Sequence, residues 1–226
     1  MTAPRSPHRG RASTGKALPR RSAGEPLALL ALVTVALALS AYRPHDRLTW
    51  WLEVAPVLVA IPLLVATWRR FPLSPLAYRL IFLHALVLIA GGHYTYARVP
   101  LGEWARDAFG LARNHYDRLG HFFQGFVPAI LAREFLLRTS PLRPGGWLTF
   151  LVICVCLAIS AFYELVEWWA AVGGGGATAD FLGAQGDVWD AQWDMCMALV
   201  GAVTALLLLA RIHDRSLAAL DPDLGP

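Results

Sequence analysis

The stretch WLTFLVICVCLAISAFYELVEWW, residues 147–169, decides the fold. Its length is close to the ~20 residues a helix needs to cross ~30 Å of hydrocarbon. Trp147 closes one end and Trp168 and Trp169 the other, where amphipathic rings favour the membrane–water interface. Glu164 breaks the pattern. It sits about five residues inside the span from Trp169, roughly 7 Å at helical rise, where an ionised carboxylate needs a proton, a metal or a positive group.

Five further apolar runs flank this one: Pro26–Tyr42, Trp51–Trp68, Leu76–Gly92, Leu119–Leu137 and Asp190–Ala210. Composition agrees with a bilayer. The 226 residues are 56% hydrophobic and 16% charged, against about a quarter charged in ordinary soluble domains. Trp50, Trp51, Trp68, Trp189 and Trp193 mark other span ends, and Pro56, Pro62 and Pro128 predict kinks. The expected fold is therefore an all-α polytopic membrane bundle of about six transmembrane helices. The net charge of +4 is spread as short basic clusters between apolar runs, so nucleic-acid binding is not expected. Cys154, Cys156 and Cys196 lie in apolar runs and read as buried small hydrophobes, not as a disulfide or zinc framework.

Topology follows from Lys and Arg. One side receives the N-terminal tail, Arg69, Arg70, Arg79, Arg133, Arg138, Arg143, Arg211 and Arg215. The other receives Arg43, Arg47, the 94–118 loop and the 170–189 loop, which has neither Lys nor Arg. By the positive-inside rule both termini are cytoplasmic. The organisation reads as a disordered basic tail over 1–25, a bundle over 26–212 and a cytoplasmic tail over 213–226. The first run reads as a retained helix, although small residues near Ala38 and Ser40 also fit a signal peptide. Within the 93–118 outer loop, Leu101, Trp104, Ala108, Leu111 and Ala112 keep helical spacing. They predict an amphipathic helix, lying on the outer leaflet or capping the bundle. The 170–189 loop carries Gly173–Gly176, which suits a linker, a lid or a docking segment.

The polar residues converge on one face. Asp117, His121 and Gln124 share a stripe at the outer start of the fourth span. Ser160, Glu164 and Glu167 share one on the outer half of the fifth, and Asp187, Asp190 and Asp194 begin the sixth. His93 and Tyr94 end the third span at the same level. So many carboxylates raise one another's need for positive charge, which Arg113, Arg118 and His121 meet only in part. The candidate catalytic residues are Glu164, Asp194, His121 and Glu167. Asp190, Asp187 and Asp117 are candidate ligands of a divalent cation, whose hardness suits oxygen donors.

Plainer roles stand beside these. Asp187, Asp190 and Asp117 sit where helix caps sit, and Glu167 is close enough to the interface to snorkel. His121 alone fits a hydrogen-bonded structural histidine. Glu134 is expected to pair with Arg133 or Arg138, and His84 to be a packing residue.

The runs Tyr116–Phe126 (YDRLGHFFQGF), Tyr163–Glu167 (YELVE) and Gly186–Met195 (GDVWDAQWDM) resemble the YjdF-type bacterial inner-membrane family, a domain of unknown function. The resemblance covers about Arg79 to Ala210. It implies a multi-pass protein of the inner (plasma) membrane and supplies no activity. More distantly the chain resembles VanZ-like membrane proteins, associated with glycopeptide (teicoplanin) resistance. Asp117, His121-Phe122, Glu164, Asp194 and Gly201 match that pattern. One extra residue separates Asp117 from His121, Glu167 replaces a Gln and Ala198 an Asn, so resistance does not carry over.

Three functions fit the residues. The first is an enzyme or binding protein acting on a lipid-linked or cationic ligand, with the bilayer as its setting. The second is a proton- or cation-coupled transporter, against which stands the lack of a matching polar path in the inner halves. The third is a non-catalytic membrane partner docking through its outer loops.

Overall fold

The computed structural model describes residues 23–174 and 179–220, and all regular structure among them is helical. Six long helices form the bundle: α1 (Gly24–Ser40), α2 (Arg47–Thr67), α3 (Pro75–Tyr94), α5 (Tyr116–Thr139), α6 (Gly146–Gly174) and α8 (Asp190–Ala218). Between them lie a 3₁₀ turn (Tyr96–Arg98), the amphipathic α4 (Pro100–Phe109) and the short α7 (Ala179–Leu182). The helices α2, α3, α6 and α8 are long and apolar enough to cross a membrane, and α1 is a shorter apolar helix. At 24 residues α5 is also long enough to span, but it carries Asp117, Arg118, Arg133, Glu134 and Arg138. It can do so because it is the central post, packed by α3, α6 and α8. The apolar side chains of Val59, Leu63, Phe162 and Leu207 face outward, as lipid contact requires.

Closeness of α5 and α8 comes from small residues. A side chain at Gly125 would run into the Ala198 backbone, and one at Gly201 into the Phe122 carbonyl. The buried Val127, Ala129, Ile130, Ala202 and Ala205 continue this seam as an apolar core with Val152 and Cys156 of α6. α1 and α2 pack on α3, with Trp50 Nε1 donating to Ser40 Oγ at 3.0 Å and His93 Nδ1 bonded to the Ser40 carbonyl at 2.9 Å. Caps set two helix starts: Asp46 accepts from the Thr49 amide at 2.7 Å, and Ser74 from the Ala77 amide at 3.3 Å.

Boundaries differ from the sequence reading in three places. α1 begins at Gly24, and Glu25 pairs with Arg79, so the expected tail gives way to helix before residue 26; its first 22 residues lie outside the described residues. α8 runs past 212 to Ala218, because His213 and Leu217 are buried against its neighbours. α6 extends to Gly174, taking two of the loop glycines into helix; residues 175–178 and 221–226 lie outside the described residues. Of the cysteines, all free thiols, only Cys156 is buried; Cys154 and Cys196 sit on helix faces turned outward, where a bilayer rather than a core accepts them.

A buried acidic chamber around His121

The alternating directions of α5, α6 and α8 bring their polar stripes together at one end of the bundle. Asp117, His121 and Asp194 place one ligand atom each within 4.8 Å of one another, and His121, Glu164 and Glu167 do the same. His121 belongs to both groups. Its Nε2 stands 3.5 Å from Asp117 and 3.8 Å from Asp194, and its Nδ1 2.9 Å from Gln124 Oε1 and 3.7 Å from Glu164. Asp194 is 1% exposed. The four candidate catalytic residues thus meet in one place.

The remaining three candidates divide. Asp187 and Asp190 are held by arginine. Arg113 reaches Asp190 at 2.9 Å and Asp187 at 3.5 Å, while Arg118 reaches them at 2.7 and 3.1 Å. Arg118 also pairs with Asp194, and both guanidiniums lie 3.7 Å from Asp117. Arg113 is steadied by the Ala184 and Gly183 carbonyls at 2.9 and 3.1 Å. Asp187 additionally accepts from the Trp189 amide at 2.9 Å, a local turn contact. Of the three, only Asp117 keeps ligand atoms grouped with His121. Beside this girdle, partial burial and then the Arg113 and Arg118 charges hold the His115 imidazole below its ordinary value.

Two residues of the chamber escape the sequence reading. Glu53 of α2 is 3% exposed, with Tyr96, Asp117 and His121 within electrostatic reach. The expected span began at Trp51, and Glu53 was not singled out. α2 in fact starts at Arg47 and carries Glu53 well into the bundle. Tyr96 is seated by small residues, since any side chain at Gly91 or Gly120 would strike its ring. It follows Thr95, whose φ of 61° and ψ of 143° are rare for a β-branched residue. The signal for Glu53 was available: an ionisable residue within an apolar run.

Satisfaction is incomplete. Asp117 Oδ2, Glu164 Oε1, Ser160 Oγ, Tyr163 OH, Thr49 Oγ1, Thr95 Oγ1 and His84 Nε2 are buried without a hydrogen-bond partner. Native interiors rarely leave such groups unpaired. His93 and Tyr94, expected at this level, do not join the site: His93 ties α3 to α1 and Tyr94 is exposed.

At the far end of α5 the same residue types are fully matched. Glu134 and His213 are both 0% exposed. Glu134 accepts from Arg138 and the Ser74 amide, each at 2.8 Å, and its second oxygen lies 3.1 Å from His213 Nε2. His213 Nδ1 is 2.9 Å from Arg133, which pairs with Asp214 at 2.6 Å. The expected Glu134–Arg138 pair is present, inside a larger network.

Fold and chamber define a polytopic helical membrane protein with a buried acidic and histidine cluster near one end of its central helix. The chain belongs to the family described as "Predicted membrane protein (DUF2238)", whose model matches residues 25–215. It is 55% identical over 185 residues to the inner membrane protein YjdF of Escherichia coli (strain K12), covering 82% of this chain and 88% of that one. An inner-membrane location and a lipid-bilayer environment follow. No solved structure matches.

Proposed function

We propose that the chain is a membrane-embedded enzyme or binding protein whose chamber holds a divalent cation on His121, Glu164 and Glu167 and receives a lipid-linked or cationic ligand. The supporting observation is the distribution of compensation. Arginines neutralise Asp187, Asp190 and Asp194, whereas among the described residues His121 is the cationic side chain at close range to Glu164 and Glu167. Buried carboxylates demand positive charge, and clustered oxygens with one imidazole suit a hard or borderline cation. Asp194 and Asp117, on the other side of His121, stand where a general base or acid can act. Transport ranks lower because the α5–α8 seam between the two polar ends is close-packed and apolar. With the side of entry expected to be outer from the basic-residue count, the ligand would come from that leaflet.

The test is metal content. The full-length chain, purified in detergent and dialysed against a panel of divalent cations, should retain about one ion per chain. Glu164→Gln combined with Glu167→Gln should lose it, and cells carrying the double variant should show an altered phospholipid or cell-wall-precursor profile. A wild type that retains no ion, or a double variant that retains as much, sinks the reading.

A further inference from the structure

The α2 side of the chamber differs from the His121 side. Glu53 is the carboxylate that α2 brings, and it belongs to neither group of close ligand atoms. No Lys or Arg ion pair reaches it among the described residues. What packs beside it is aromatic: the Glu53 stem and the Tyr96 ring lie against neighbouring glycines of α3, Gly92 and Gly91, and Tyr96 and Tyr163, like Asp117 and His121, are within electrostatic reach. The Tyr163 ring in turn stands 6.5 Å from Phe181 of α7, which is 3% exposed, and 6.2 Å from His121. Tyr96 is 5.6 Å from the Tyr116 ring.

Polar oxygens without partners accompany it. The Thr49 hydroxyl, one helical turn before Glu53, and the Thr95 hydroxyl, next to Tyr96, belong to residues that are 0% exposed and have no hydrogen-bond partner. The Tyr163 hydroxyl is likewise unpartnered. One negative charge, acceptor oxygens and aromatic faces form the donor set that recognises an ammonium group: N–H bonds to the oxygens, C–H and charge against the rings. A divalent cation prefers several carboxylate oxygens at close range, and Glu53 stands in neither such group.

We propose that Glu53, with Tyr96 and Tyr163, forms a subsite for one ammonium group beside the cation centre. It deepens the proposed function by naming the positive moiety that a ligand of the chamber carries. The group comes either from a small free amine or from an aminated lipid headgroup; the chemistry is shared.

Thermal unfolding of the full-length chain tests it, with ethanolamine as the free probe and nanodiscs of phosphatidylethanolamine against phosphatidylglycerol as the lipid probe. Wild type should melt higher, saturably, with ethanolamine or in the phosphatidylethanolamine discs, and not with sodium chloride of equal ionic strength. A response to ethanolamine assigns a free amine, and a response confined to the discs a headgroup. Glu53→Gln, which mimics a neutral carboxylic acid, should weaken the response at least about tenfold. Should that variant not fold, Glu53→Asp carries the test, with a weaker but measurable response expected. The proposal is overturned by no saturable response to either probe, by an equal response to sodium chloride, or by a folded variant that responds as wild type does. Metal content of the wild type reads the neighbouring centre separately: ion retained without any amine response overturns the ammonium subsite alone.

Discussion

The two ends of α5 each bury a histidine among carboxylates, and they treat the resulting charge in opposite ways. At the Glu134 end both Glu134 oxygens have donors, and an unbroken chain of contacts runs Arg138–Glu134–His213–Arg133–Asp214. At the His121 end the arginines bond the acids that begin α8 and stand off at 3.7 Å from Asp117, while Asp117 Oδ2, Glu164 Oε1 and Tyr163 OH have no hydrogen-bond partner. A closed network of this kind fixes two helices in register. An open one leaves capacity for a ligand. Histidine and carboxylate do not distinguish the two; the bookkeeping of donors and acceptors does.

The sharpest way to break the comparison is to separate the helices that carry both ends. Gly201→Leu drives a side chain into the Phe122 backbone. It should cost at least about 3 kcal/mol and abolish both networks, read as loss of folded monomer in detergent. Glu134→Gln leaves Arg138, His213 and Arg133 short of negative charge in a buried place. A loss of about 3 to 5 kcal/mol in SDS-titrated unfolding is expected. Glu164→Gln should behave oppositely. It removes a buried charge that no arginine holds, so stability should be unchanged or higher, within about 1 kcal/mol. If Glu164→Gln destabilised as much as Glu134→Gln, the two ends would be alike and the chamber would be structural.

The smallest effect calibrates an ordinary contact at the chamber end. Asp46→Ala removes the cap of α2 and should cost about 1 kcal/mol. The Thr49 amide bond is the main cause that holds the Asp46 carboxyl below its ordinary value, slightly offset by burial. Its folded acidity is therefore stronger than its unfolded acidity. The cap contributes fully above about pH 4 and fades as the pH falls below that, so wild type and Asp46→Ala should converge in acid.

Legibility varied with the distance over which a pattern acts. The long apolar runs, several of them ended by tryptophans, determine an all-helical membrane bundle, because a helix satisfies its own backbone within hydrocarbon. The i, i+4 and i, i+3 stripes on three neighbouring spans likewise placed Asp117, His121, Glu164 and Asp194 at one level, since alternating helix direction requires it. Helix ends were less legible. The extension of α8 to Ala218 depends on His213 finding Glu134, a partner 79 residues earlier. Only the tertiary structure decided which acids are matched. Arg113 and Arg118 precede α8 by more than seventy residues, yet their reach takes Asp187 and Asp190 out of the cation-binding set. Glu53 entered the chamber for the same reason: whether a buried charge is compensated is settled by neighbours across space, and local sequence spacing carries no record of them.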